Sequence, residues 1–255
     1  MANVVFVNEP PSFAEVDKKL PLLDFIMKYK PLGWEELFDD AYEEISNISE
    51  ILESEKSKGY RIVPDIENIF KVFYLVNPKD VKVIIWGQDP YHQILHTGKS
   101  RAQGLSFSVD KSDDVPGSLL NIYKEIINNY PSTPEERLPK NGDLTHWVYQ
   151  GVFLLNSCLT TRSNEANAHS KYILWHPFID KMLRFLAKFN KNIIHVLWGK
   201  EAQKLEKLIS TTSKSMLMGP HPSGLSAYRG FIGCGHFKTI NEMLKSQGKN
   251  EITWI

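Results

Sequence analysis

Three polar side chains stand where hydrophobic runs stop. Asp89 follows "VKVIIWGQ", Asn156 ends "GVFLLN", and His221 follows "KSMLMGP". Brought together, an acid, an amide and an imidazole could carry out acid–base work on a polar ligand and recognise it. Spacing alone leaves the reaction class open. Taken singly, each has an ordinary structural use: Asp89 as a cap, Asn156 as a partner for backbone, His221 as a turn residue. The stretch "GQDPYH", Gly87 to His92, weighs against that reading. It places a glycine, an amide, a carboxylate, a proline, a phenol and an imidazole within six residues, more chemistry than a strand end needs.

The elements that must position these groups follow from periodicity. Four segments, "VKVIIW", "GVFLLN", "NIIHVLW" and "KSMLMGP", are apolar runs that stop at polar residues. Helical patterns lie between them, from Ser118, from His176 and from Lys200. This alternation predicts an α/β fold, a central four-stranded parallel twisted sheet flanked by helices on both faces. Ligands bind such sheets at the carboxyl ends of the strands, where the three polar residues lie. Upstream, Trp34 to Gly59 predicts one or two helices, and Asp65 to Val76 predicts another with Asp65 as N-cap. Residues 1–30 read as an N-terminal extension, and the resemblance drawn below makes 31–255 a single catalytic domain.

Bulk properties narrow the class. The 255-residue chain has 30 basic and 30 acidic residues, which argues against retention on nucleic acid by bulk charge. The charge is uneven: residues 1–80 carry 9 Lys/Arg against 16 Asp/Glu, and residues 181–255 carry 12 against 4. A polyanion could meet the C-terminal third without strong non-specific binding. Two cysteines, Cys158 and Cys234, are too few for a Cys-rich metal site and predict a reducing intracellular compartment, nucleus or cytoplasm, without a recognisable nuclear signal. No membrane span, secretory signal or transit peptide is expected.

Longer motifs make the reading specific. "GQDPYH" and "HPSGLSAYRGF" (His221 to Phe231) resemble the two signature motifs of the family-1 uracil-DNA glycosylases. "AQGLSFS", "LLNIYKE", "LLNSCLT", "LWGKEAQ" and "GHFKTINEML" match the same family in order, so the similarity runs from about Pro31 to the C-terminus. The resemblance implies a monofunctional enzyme that hydrolyses the N-glycosidic bond of uracil in single- or double-stranded DNA, starting base excision repair without metal or cofactor. It assigns Asp89 to stabilise the oxocarbenium-like sugar and His221, as a neutral donor, to stabilise the uracil anion. It gives Asn156 the uracil edge, Tyr91 the wall against a C5 methyl, Phe107 the stacking face and Gln88 a place in the pocket lining, largely through its backbone. Leu225 takes the wedge position. Ser118, Ser223 and Ser226 take the phosphate-gripping positions, and His92, Tyr228 and Arg229 become further DNA contacts. A monomer is expected, with residues 1–30 open to a replication or repair partner.

The chain departs from the family pattern at four places. About five residues are added between His92 and Ala102, the proline-rich stretch before Ser118 is reduced to "DDVPG", Gly224 stands before the wedge leucine, and Lys200 follows "WG". A DNA-binding scaffold on the same fold is disfavoured by retention of Asp89 and His221, and a thymine-directed glycosylase by Tyr91. A zinc deaminase lacks its paired cysteines.

Overall fold

The computed structural model describes residues 17–131 and 139–255. Helices α1 (Leu22–Lys28), α2 (Glu35–Asp40) and α3 (Tyr42–Ser57) come first, and Gly59 follows the last of them. Of the expected N-terminal extension, α1 buries Leu22, Phe25 and Ile26, and the backbone amide of Leu23 donates to Ser49 on α3. Residues 1–16 lie outside the described part.

A short strand β1 (Ile62–Val63) leads to α4 (Ile66–Ile69) and α5 (Lys71–Leu75). The sequence predicted one helix here, and the chain instead breaks at Phe70. Asp65 occupies the N-cap position but makes no side-chain cap. Its carboxylate accepts from Arg61 and from the backbone N–H of Ser100. A tertiary demand has taken the side chain from its local use.

Next come β2 (Val83–Gly87), α6 (Gly117–Asn129), α7 (Thr145–Val148) and β3 (Val152–Asn156). Strand β4 (Thr161–Arg162), α8 (His176–Ala187) and β5 (Ile194–Trp198) follow. The segment from Lys200 folds as two short helices, α9 (Lys200–Gln203) and α10 (Glu206–Ile209), rather than one. Strand β6 (Met216–Gly219), α11 (Gly224–Ser226) and α12 (His236–Ser246) complete the chain.

The four expected strands form one parallel sheet in the order β3-β2-β5-β6. Their register aligns Gly87 with Asn156 and Trp198 with Gly219, so the strands end nearly level. The buried runs of β2 and β5 suit a sheet covered on both faces. On one face Phe153 packs against Trp34 and Phe73. On the other, Trp198 meets Phe231 and Phe237. Each such buried ring contributes roughly 1.5–3 kcal/mol, which makes the sheet a rigid platform for the loops at its end. A second sheet, not foreseen from sequence, pairs β1 antiparallel with β4. Among the described residues, no helix is long and apolar enough to cross a membrane.

Candidate active site

Two glycines let the strand ends approach. A Cβ on Gly87 would lie 2.1 Å from Asn156 Oδ1 and 2.9 Å from Ser106 Cβ. The Asn156 amide therefore rests against bare backbone of the neighbouring strand. Gly199, just beyond β5, has φ +88°, and a Cβ there would lie 2.9 Å from His221 Cβ. Neither glycine was assigned a site role from sequence. The signal was present in both cases, a glycine where an apolar strand stops.

Asp89, Tyr91, Phe107, Ser118, Asn156 and His221 line one cavity of about 180 Å³, with Gln88 and Asn167 on its wall. This is below the roughly 300–1,000 Å³ of pockets that take drug-sized ligands, and suits a single heterocycle. Larger hollows exist: one of about 490 Å³, lined by Lys82 and Gly151, sits at the opposite end of the strands. Convergent polar chemistry, not size, distinguishes the site. Phe107 has φ +65°, a left-handed conformation that bulky residues avoid and that clusters at functional sites. Its ring stands edge-on to Trp198, 5.8 Å between centroids, and 6.0 Å from His221. Tyr91 Oη donates to the Phe107 carbonyl at 3.4 Å. Gln88 turns its amide to Asn167 at 2.7 Å, and its carbonyl accepts from Ser157 Oγ and Cys158 N.

The acid and the imidazole are tuned in different ways. Burial raises the Asp89 carboxyl to about 6, a hydrogen bond from Ser170 pulls it down, and the charge of Glu201 adds to the rise. Ser170 Oγ donates to Oδ2 at 3.0 Å, while Oδ1 is buried with no hydrogen-bond partner among the described residues. An oxygen held this way is poised to face a ligand or water. Burial lowers the pKa of His221, which favours the neutral ring. The Ser223 backbone N–H donates to Nδ1 at 3.1 Å, so Nδ1 carries no proton and Nε2–H is the donor. Ser223 Oγ lies 2.7 Å from the same Nδ1, so this hydroxyl is already engaged with the imidazole.

Asn167 and Ser170 come from a loop that sequence reading passed over. The loop is anchored by His169, which bonds Glu55 Oε2 at 2.8 Å and Thr160 Oγ1 at 2.8 Å. Trp175 Nε1 donates to that same Thr160 hydroxyl. Arg162 closes the network by donating twice to Glu55. A carboxylate on α3 thus fixes, through one buried histidine, the loop that brings Asn167 to the cavity and Ser170 to Asp89.

Ser118 sits in the first turn of α6. His92 does not line the cavity: its Nε2 lies 3.3 Å from Gln93 Nε2, and its Nδ1 is buried with no hydrogen-bond partner among the described residues. Ser226 and Arg229 join Lys200 and His221 along a groove of about 540 Å³. Tyr228 is exposed, with Lys124 Nζ 3.4 Å from its hydroxyl. Leu225 belongs to α11, but its side chain, and with it the wedge position, lies outside the described part. The added residues after His92 form a hairpin with a bridge between Ile94 and Ser100, held at its tip by Arg61, which donates to the Gly98 carbonyl at 2.7 Å.

Comparison with known proteins identifies the family. A family model described as the uracil DNA glycosylase superfamily matches residues 73–245. The chain is 41% identical over 223 residues to a uracil-DNA glycosylase of Fusobacterium nucleatum, covering 87% of this chain and 94% of the relative. It is 42% identical over 223 residues to one from Clostridioides difficile, covering 87% of this chain and 95% of that relative. The crystal structure of mimivirus uracil-DNA glycosylase superposes with a TM-score of 0.80 at 32% identity, covering 87% of this chain and 86% of that one. With the strand-end cavity, the matched motifs and these relatives in agreement, the chain belongs to the uracil DNA glycosylase superfamily.

Proposed function

We propose that the protein hydrolyses the N-glycosidic bond of uracil in DNA, releasing free uracil and leaving an abasic site. One observation carries this reading: a carboxylate, an amide and a neutral imidazole share a single small cavity with two aromatic rings. Breaking the bond leaves positive charge on the deoxyribose and negative charge on the departing base. Asp89 answers the first, and His221 Nε2–H answers the second at uracil O2, as an oxyanion donor does. Asn156 accepts from N3–H and donates to O4, whereas cytosine presents the opposite pattern and leaves the amide unsatisfied. Phe107 stacks on the ring, and Tyr91 walls off the C5 position.

The base must leave the helix to enter, at a cost of roughly a few kcal/mol. Ser118 and the Lys200–Arg229 groove hold the flanking phosphates, which position DNA without reading sequence. Leu225 fills the vacated stack in duplex DNA, so both single and double strands are substrates. The test is incubation, with EDTA present, on labelled single-stranded DNA bearing one uracil, followed by alkali. Strand scission at the uracil is expected, and an intact strand would refute the proposal. Replacing Leu225 by Ala should impair duplex substrates more than single strands, and equal loss on both would remove the wedge from the mechanism.

A further inference from the structure

We infer that Arg101, at the base of the added hairpin, is a specificity-determining positioning residue. It holds the Tyr91 ring in place as the wall that a C5 substituent must meet. The inference rests on the proposed function and goes beyond it to how the wall is kept rigid.

Among the described residues, the Tyr91 hydroxyl makes one hydrogen bond. Its hydroxyl bond to the Phe107 carbonyl, at 3.4 Å, lies at the outer limit of a hydrogen bond. The Arg101 guanidinium lies 5.5 Å from the centroid of the Tyr91 ring, within reach of a cation–π contact. The same planar group donates from Nε to Asp113 Oδ2 at 2.6 Å and from Nη2 to the Asp114 carbonyl at 2.8 Å. Its side chain is 21% exposed and that of Asp113 is 13% exposed, so the pair is shielded from water. The backbone beneath it is fixed as well: Arg101 N donates to the Gln93 carbonyl at 3.0 Å, and Ser100 N to Asp65 Oδ2 at 3.3 Å. The longer loop after His92 and the acidic "DDVPG" stretch are therefore two halves of one clasp. The Asp113 carboxylate and the Asp114 backbone carbonyl both accept from this guanidinium. A fork of fixed donors satisfies a carboxylate, a carbonyl and a ring together, which a lysine ammonium does not reproduce.

The experiment compares excision of uracil, 5-bromouracil and thymine from one single-stranded sequence, with thermal melting to verify folding. The proteins are wild type, Arg101→Ala, Arg101→Lys, Asp113→Asn and the Arg101→Ala/Asp113→Asn double variant. Loosening the wall should raise the 5-bromouracil-to-uracil ratio on the order of tenfold in each single variant, the scale on which a pocket discriminates one small group. Arg101→Lys should not restore the wild-type ratio. The double variant should add nothing further, because the two residues act as one unit. A general loss of stability or of phosphate grip would lower all three rates together and leave the ratio unmoved. An unmoved ratio in folded Arg101→Ala and Asp113→Asn, with active wild type, overturns the brace alone. No uracil release by wild type overturns the function, and the brace with it.

Discussion

At the scale of single residues, the site turns on a carboxylate that the fold makes harder to ionise. In the proposed reaction Asp89 must be charged to face an oxocarbenium ion, yet burial raises its pKa to about 6. Activity should therefore fall as the pH drops through about 6, visible as the acid limb of kcat/KM. Ser170→Ala removes the hydrogen bond that lowers this pKa, so the limb should move to higher pH; an unshifted limb would show that Ser170 does not tune Asp89. The effect on stability runs in the opposite sense. A carboxyl with a raised folded pKa binds its proton more tightly folded than unfolded, so between pH ~4 and ~6 stability falls as pH rises. Asp89→Asn should thus lose on the order of 100-fold or more in rate while gaining about 1 kcal/mol of stability at pH 7, after allowance for solvent screening. A melting temperature that drops with the activity would contradict this. Asp89, Asn156 and His221 were legible in sequence because each ends an apolar run. Ser170 and Asn167 were not, because the Glu55–His169–Thr160 network that places them joins segments far apart in the chain.

At the scale of elements, the strands were legible because their apolar runs are short and interrupted by glycine and polar residues. The break at Phe70 and the division of the Lys200 segment were not, since tertiary packing decides where a short helix stops. The strand ends act as a jig whose tolerance is set by the two glycines. Gly87→Ala would drive a methyl into Asn156 and should raise KM while the protein stays folded. Gly199→Ala would displace His221 and add backbone strain of about 1–3 kcal/mol, and should lower kcat instead. Misplacement of about 1 Å can cost 100-fold. Steady-state kinetics with melting controls separate the two effects. Equal changes in KM and kcat for both variants would mean that the glycines serve the sheet and not the site.

At the scale of the whole molecule, a chain of zero formal charge must hold a polyanion through a local patch. Lys200 and Arg229 border the groove that leads to His221. Binding to single-stranded DNA should show a shallow salt dependence, far from the slope of about −10 of a many-phosphate repressor, and Lys200→Ser should flatten it by about 0.7. An unchanged slope would remove Lys200 from the DNA path. The charge asymmetry along the chain was legible in sequence; the groove that uses it was not, because it forms only when the ends of β5 and β6 come together. The proposed function requires one cavity to read an extruded pyrimidine through Asn156. The most direct measurement is the base spectrum of Asn156→Asp on single-stranded DNA containing uracil or cytosine. Release of cytosine, with uracil release reduced, is the expected result. An unaltered preference for uracil would mean that Asn156 does not read the base.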